Sequence, residues 1–322
     1  MRTVIVTGGA GYIGSHTCKW LASQGYLPIT VDNLSTGFSE AVKWGPLEVL
    51  DLRDTSALTK IIRSHNPAAV IHFAAFSAVG ESVRDPLKYY ENNIGSTLSL
   101  VSAMRAAHVN KIVFSSTCAV YGLPDRIPIN ESCLRNPINP YGRSKLLIEN
   151  LLEDLSLSSD LSYVSLRYFN AAGADPDGQL GERHEPETHL IPLAIRATLG
   201  GEPLSVFGND FPTADGTAIR DYIHVNDLAS AHQLSIDYLL RGGRSIALNI
   251  GTGRGYSVKE ILRELNQMGR KVPRIDSPRR NGDPAELVAD SSLAESTLGW
   301  RPNVSDLNNI LGTALAWHHK HG

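Results

Sequence analysis

Short apolar runs alternate with longer stretches of helical period through the first half of the chain. Thr3-Val4-Ile5-Val6-Thr7 is a β-rich run. Gly8-Gly9-Ala10-Gly11-Tyr12-Ile13-Gly14-Ser15-His16 follows, and a helical pattern then extends to about Gly25. A second strand is predicted over Pro28 to Val31, ending at Asp32-Asn33. Further strands are predicted at Leu47 to Leu50, Ala69 to Phe73, Lys111 to Phe114 and Tyr163 to Leu166, with a long helix from Tyr90 to His108. Pro140 suits the first turn of another helix, where its missing N–H costs nothing, and Lys145 to Leu152 keeps the helical period. Strands alternating with helices indicate an α/β fold built on a parallel sheet. After Asn170 the texture changes, and Ala171 to Pro186 is rich in Gly, Pro and Asp. We therefore expect a first domain at residues 1–170 and a smaller α/β substrate-binding lobe at 171–322. A segment near 221–250 is apolar enough to return to the first sheet.

Strand, glycine loop, helix, strand and acid, in that order, form the dinucleotide-binding unit of a Rossmann-like, doubly wound parallel sheet. The glycines fit two spacings, Gly8/Gly11/Gly14 and Gly9/Gly11/Gly14, and Asp32 follows Gly14 by eighteen residues. Glycines let backbone approach a pyrophosphate, while Tyr12 and Ile13 lie where a helix N-terminus offers N–H groups to an anion. Asp32 would accept hydrogen bonds from a ribose and repel a 2′-phosphate, which favours NAD over NADP. Asn33, Ser35 and Thr36 lie in the next loop and add ribose or phosphate contacts. Asp51 and Leu52 fall where an adenine would lie. Phe73, Ala74 and Ala75 fall nearer the pyrophosphate and ribose, at the strand ends where open parallel sheets bind ligands.

Tyr141 and Lys145 stand four residues apart and so share one helix face. An ammonium beside a phenol favours phenolate, so the pair is expected to lower the tyrosine pKa from about 10 and make a proton acceptor. The spacing alone is common; its neighbours give it weight.

Net charge is −3 over 322 residues, and basic residues are scattered, so neither nucleic acid nor an anionic membrane is expected as a partner. The three cysteines, Cys18, Cys118 and Cys133, have no paired spacing, which suits a reducing, cytoplasmic setting. No signal peptide and no apolar run of membrane-spanning length is seen. His184-Glu185-Pro186-Glu187-Thr188-His189 is close to the metalloprotease pattern H-E-x-x-H. Its histidines are five apart rather than four and Pro186 interrupts any helix, so no metal is expected. The tail His318-His319-Lys320-His321 is expected to be a disordered polar end.

The glycine loop, the strand end Ser115-Ser116-Thr117 and Tyr141-x-x-x-Lys145 resemble the extended short-chain dehydrogenase/reductase family. Longer strings narrow the resemblance to the UDP-glucose 4-epimerases: Val79-Gly80-Glu81-Ser82, Asn139-Pro140-Tyr141-Gly142, Arg167-Tyr168-Phe169-Asn170, and Phe207-Gly208-Asn209-Asp210 running on to Arg220-Asp221-Tyr222-Ile223-His224. This implies bound NAD, a UDP-sugar substrate, and interconversion of UDP-glucose and UDP-galactose through a transient 4-keto sugar and bound NADH. It implies an isomerase of galactose and nucleotide-sugar metabolism, working as a homodimer through segments 90–108 and 144–157.

By the same resemblance Tyr141 is the acid/base, Lys145 its helper at the nicotinamide ribose, and Thr117 a hydroxyl on the sugar oxygen. Asn92 and Tyr168 match cofactor-side positions. Asn170, His189, Leu190, Phe207, Arg220, Tyr222, Arg280 and Asp283 match the region that holds UDP. Four positions depart from the family pattern: Thr117 stands where many members have serine, and Ser77, His189 and Leu287 stand where some members have lysine, asparagine and tyrosine. The smaller Leu287 leaves UDP-N-acetylglucosamine as an alternative substrate, and UDP-xylose is another. A non-catalytic NAD-sensing protein is disfavoured, because both Tyr141 and Lys145 are present. A 4,6-dehydratase is disfavoured too: Cys118-Ala119 follow Thr117 where that chemistry wants two carboxylates.

Overall fold

The computed structural model describes residues 1–280 and 282–321. The cofactor half opens with β1 (Arg2–Thr7), α1 (Tyr12–Ser23), β2 (Tyr26–Asp32), β3 (Leu47–Val49), α2 (Thr55–His65) and β4 (Ala69–His72). Two short helices follow, α3 (Val79–Arg84) and α4 (Pro86–Tyr89), then α5 (Gly95–Ala106), β5 (Lys111–Ser115), α6 (Pro140–Ser158) and β6 (Ser162–Tyr168). The second half holds β7 (Asn170–Ala172), α7 (Leu190–Thr198), β8 (Leu204–Phe207), β9 (Ile219–His224), α8 (Val225–Leu240), β10 (Ile246–Ile250) and β11 (Gly255–Ser257). It ends with α9 (Val258–Gln267), β12 (Arg274–Ser277), β13 (Glu286–Leu287), α10 (Ser292–Leu298) and α11 (Leu307–His321).

Seven strands pair in parallel in the order β10-β6-β5-β4-β1-β2-β3. Strand order reverses between β1 and β4, and the crevice outside that reversal is where such sheets bind ligands. Side chains alternate across the sheet, and both faces are covered, so the strands are apolar throughout. Val4 and Val6 pack with Leu228, Ala231 and Ile236 of α8 on one face. Ile5 packs with Leu58 and Ile62 of α2 and Leu100 and Met104 of α5 on the other.

The second half divides between two sheets. α8 and β10 return to the large sheet, where β10 extends the edge beside β6. β9 instead joins β7, β11 and β13. A third cluster beneath this lobe joins Ile191 and Ile195 of α7 to Ile261, Ile310 and Leu311.

Two predicted elements differ in the structure. The helix expected from Tyr90 begins instead with a wide π turn at Tyr90–Ile94, and α5 starts at Gly95. That turn turns Asn93 inward, where its amide bonds the Phe76 backbone and Ser144. The histidine-rich end is not disordered: it completes α11, and His318 is buried. The helix has an apolar face, Leu307, Ile310, Leu311 and Ala314, which docks on the lobe and carries the polar end with it.

Candidate active site

The glycine loop is shaped by contacts that exclude side chains. Gly8 has φ +72°, and a Cβ there would meet Ala74 N at 2.6 Å. A Cβ on Gly14 would lie 2.2 Å from the Gly8 carbonyl oxygen. Gly11 caps α1 without a side-chain hydrogen bond, so the first amides of that helix, at Tyr12 and Ile13, stay available to an anion. The Tyr12 hydroxyl donates to the Gly173 carbonyl at 2.6 Å, which ties the loop to the second half. Asp32 ends β2 and is mostly buried. Its carboxylate accepts from Ala10 N and Leu34 N, at 3.0 and 2.8 Å. Burial raises its pKa, and those two hydrogen bonds work against the rise.

The outer end of this crevice is a cleft of about 370 Å³ lined by Asn33, Ser35, Arg53, Phe76 and Asn92 among others. Thr36 is exposed in the same loop. Asp51 pairs with Arg53 at 2.6 Å, and that bond holds its carboxyl down at about 2; Leu52 beside it is buried. Phe73, Ala74 and Ala75 follow β4 as expected, half-buried, with Phe73 against His232. The crevice residues fit a dinucleotide: a backbone cradle, an uncapped helix start and a carboxylate at the second strand end.

Tyr141 and Lys145 lie in the first turns of α6. Pro140 is at its start, and Asn139 caps it by accepting from Gly142 N at 2.8 Å. Both side chains are buried. Lys145 Nζ donates to the Ser115 carbonyl at 2.7 Å and stands 6.0 Å from the Tyr141 ring centre. Thr117 is buried after β5, and its hydroxyl accepts from Ala119 N at 3.1 Å. The Tyr168 hydroxyl meets Ser115 Oγ at 2.6 Å.

The electrostatics differ from the sequence-based expectation. Burial pushes the Tyr141 phenol well up, with the Tyr168 phenol adding and Thr117 opposing. Burial also draws Lys145 down to about 7, against the pull of Glu149. These side chains alone keep a neutral phenol: desolvation of the phenolate dominates, and burial also weakens the Lys145 charge.

Across the crevice, β9 carries two of the residues matched to UDP, Arg220 and Tyr222, and draws in Asn170 and Asp283. Tyr222 pairs in register with Asn170 of β7, and Arg220 with Leu287 of β13. Arg220 bonds the Asp283 carboxylate and the Ile219 carbonyl. Phe207 ends β8, and the Arg280 guanidinium lies over its ring at 3.9 Å. His189 caps α7, whose first residue is Leu190. Cys118, next to Thr117, packs in one cluster with Leu287, the register partner of Arg220, so the two groups of residues adjoin.

Sequence reading missed a buried network behind the pair. Glu149, on the same α6 face, accepts from Ser116 Oγ at 2.6 Å and from Arg167 Nε and Nη2 at 2.9 and 2.7 Å. Its signal was the continued four-residue spacing from Lys145.

A family model described as "NAD dependent epimerase/dehydratase family" matches residues 4–251, most of the chain. The chain belongs to that family. A UDP-glucose 4-epimerase of Rhizobium leguminosarum bv. trifolii is 53% identical over 321 residues, covering 99% of this chain and 98% of the relative. Among solved structures, the Brucella ovis UDP-glucose 4-epimerase in complex with NAD superposes with a TM-score of 0.96 at 52% identity, covering 98% of both chains. The Bifidobacterium longum enzyme, in complex with NAD+ and UDP, gives 0.94 at 39% identity, covering 99% of this chain and 98% of that one. NAD dependence is thus a property of the family, and the crevice described above fits it.

Proposed function

We propose that this protein is an NAD-dependent UDP-glucose 4-epimerase that interconverts UDP-glucose and UDP-galactose. The observation that carries the reading is the junction of two groups. One is the buried Tyr141, Lys145 and Thr117 at the sheet end. The other is the adjoining set of Arg220 with Asp283 and Arg280 over Phe207. Gly8, Gly11, Gly14, Tyr12, Ile13 and Asp32 would hold the dinucleotide. Bound NAD supplies a reversible hydride acceptor for the sugar C4 and a positive charge beside the phenol.

The chain's residues do the rest. Tyr141 takes the proton from the sugar 4-hydroxyl and later returns it. Thr117 orients that oxygen. Lys145 would meet the nicotinamide ribose and favour the charged form of Tyr141. Arg220 and Arg280 hold the diphosphate, since planar guanidinium forks suit phosphate oxygens. Inversion requires the sugar to be held loosely, so that the 4-keto sugar can turn over while its nucleotide stays anchored. A 4-keto sugar turned in this way would present its opposite face, as inversion at C4 requires.

The test is conversion of UDP-galactose by the purified protein, with UDP-N-acetylglucosamine and UDP-xylose in the same panel. We expect turnover of UDP-galactose with no net consumption of NAD. Absence of any conversion while NAD and UDP both bind would remove the proposal.

A homodimer through α5 and α6 is part of the proposal. Leu98 on α5 and Leu147 on α6 are 47% and 49% exposed, large apolar side chains that a partner would cover. Sedimentation should give a dimer, and Leu98→Glu with Leu147→Glu should give a monomer. No described helix is long and apolar enough to cross a membrane. Cys18, Cys118 and Cys133 are free and buried, in keeping with a cytoplasmic setting.

A further inference from the structure

The loop between β7 and α7 carries Glu182, His184, Glu187 and His189. The histidine spacing argued against a metal only if the segment were a helix. It is an irregular loop, and it folds the four side chains toward one point. One donor atom from each lies within 4.8 Å of all the others. His189 Nδ1 is 2.8 Å from Glu182 Oε1 and 3.3 Å from Glu187 Oε1. His184 Nδ1 is 3.6 Å from Glu182 Oε1 and 3.4 Å from Glu187 Oε2. Ligands about 2.0–2.2 Å from a tetrahedral zinc ion stand roughly 3.3–3.6 Å apart. Three of the four histidine–carboxylate separations agree with that spacing, with Glu187 presenting Oε1 to His189 and Oε2 to His184, and the fourth is an ion-pair distance that a central ion would widen.

Charge points the same way. The Glu182 and Glu187 side chains are 5% and 1% exposed. Among the described residues neither forms an ion pair with lysine or arginine; their partners are these two histidines. Buried carboxylates need a cation close by.

We propose that Glu182, His184, Glu187 and His189 form a structural zinc site. Four protein ligands leave no open position, as in structural rather than catalytic zinc centres. Two imidazoles select zinc over magnesium or calcium, which prefer oxygen ligands only. The ion fixes a loop that bridges both halves of the molecule. His189 caps α7, and the His184 ring stands edge-on to Tyr12 of the glycine loop, with centroids 6.3 Å apart. The His189 imidazole then belongs to the ion, and the backbone at His189–Leu190 is what remains for the nucleotide.

The experiment uses the full chain without an added histidine tag, stripped with a chelator and titrated with zinc alone. Elemental analysis after dialysis should give about one zinc per chain. Zinc at 100 times its Kd should raise Tm by about 4 °C, while magnesium does not. Replacing a ligand should cost more than the 10–100-fold typical of outer-shell changes, so His184→Ala should weaken zinc binding by at least about 100-fold. His184 is partly exposed, so that variant should fold, which circular dichroism checks. His319→Ala with His321→Ala should retain the zinc. Failure to bind zinc, binding unchanged in His184→Ala, or binding lost with the tail histidines would each overturn the site. None of these readouts depends on epimerase activity.

Discussion

Tyr141→Phe lowers turnover of UDP-galactose by roughly 10²–10⁴-fold, the range for a positioned general acid–base group. NAD binding, UDP binding and Tm stay close to those of the parent chain. The phenyl ring fills the same buried space in the first turn of α6, so the fold keeps its packing. What is lost is the one hydroxyl that carries the proton. A pH profile adds a second signature. Burial raises the Tyr141 pKa, so at neutral pH the phenolate is the scarcer form, and turnover in the parent rises with pH. That rising limb should vanish in Tyr141→Phe. A variant that keeps more than a tenth of the parent rate would place the proton acceptor elsewhere.

The geometry around that hydroxyl was legible in the sequence to different depths. Asn139-Pro140 announced the start of α6, and the four-residue spacing put Tyr141 and Lys145 on one face; the structure has both. The glycine loop was legible because its residues obey a local rule: only glycine fits where backbone presses on backbone, as at Gly8 and Gly14. The charge state of Tyr141 was not legible. Spacing reveals the neighbouring lysine but not the burial that raises the phenol's pKa. The Glu182 cluster was hidden for a related reason. Ligand spacing rules assume a helix, and a loop brings donors together at spacings no rule anticipates. The polar end of α11 was misjudged because its apolar anchor lies a full turn or more before the histidines. Local rules survive in sequence, then, and properties set by burial or by long-range closure do not.

Glu149 belongs to that second kind, and its replacement has the largest expected effect on stability. It is buried on α6, one turn beyond Lys145, and its carboxylate holds Arg167 of β6 through two hydrogen bonds. Arg167 is buried too. Removing one partner of a buried pair leaves a charge without compensation, which costs about 3–5 kcal/mol. Glu149→Ala should therefore unfold at markedly lower urea concentration. The same carboxylate supports the charge of Lys145, whose pKa burial has already drawn down to about 7. Losing it should draw Lys145 lower still and leave less ammonium beside Tyr141 at neutral pH. Glu149→Met with Arg167→Met separates the two effects, because replacing both members of a buried pair with apolar groups is often neutral or stabilising. That double variant should regain most of the lost stability and still turn over UDP-galactose more slowly than the parent, with its pH profile displaced. Full recovery of rate along with stability would confine Glu149 to the fold. Recovery of stability alone makes it the residue that sets the charge of Lys145, and through it the proton affinity of Tyr141.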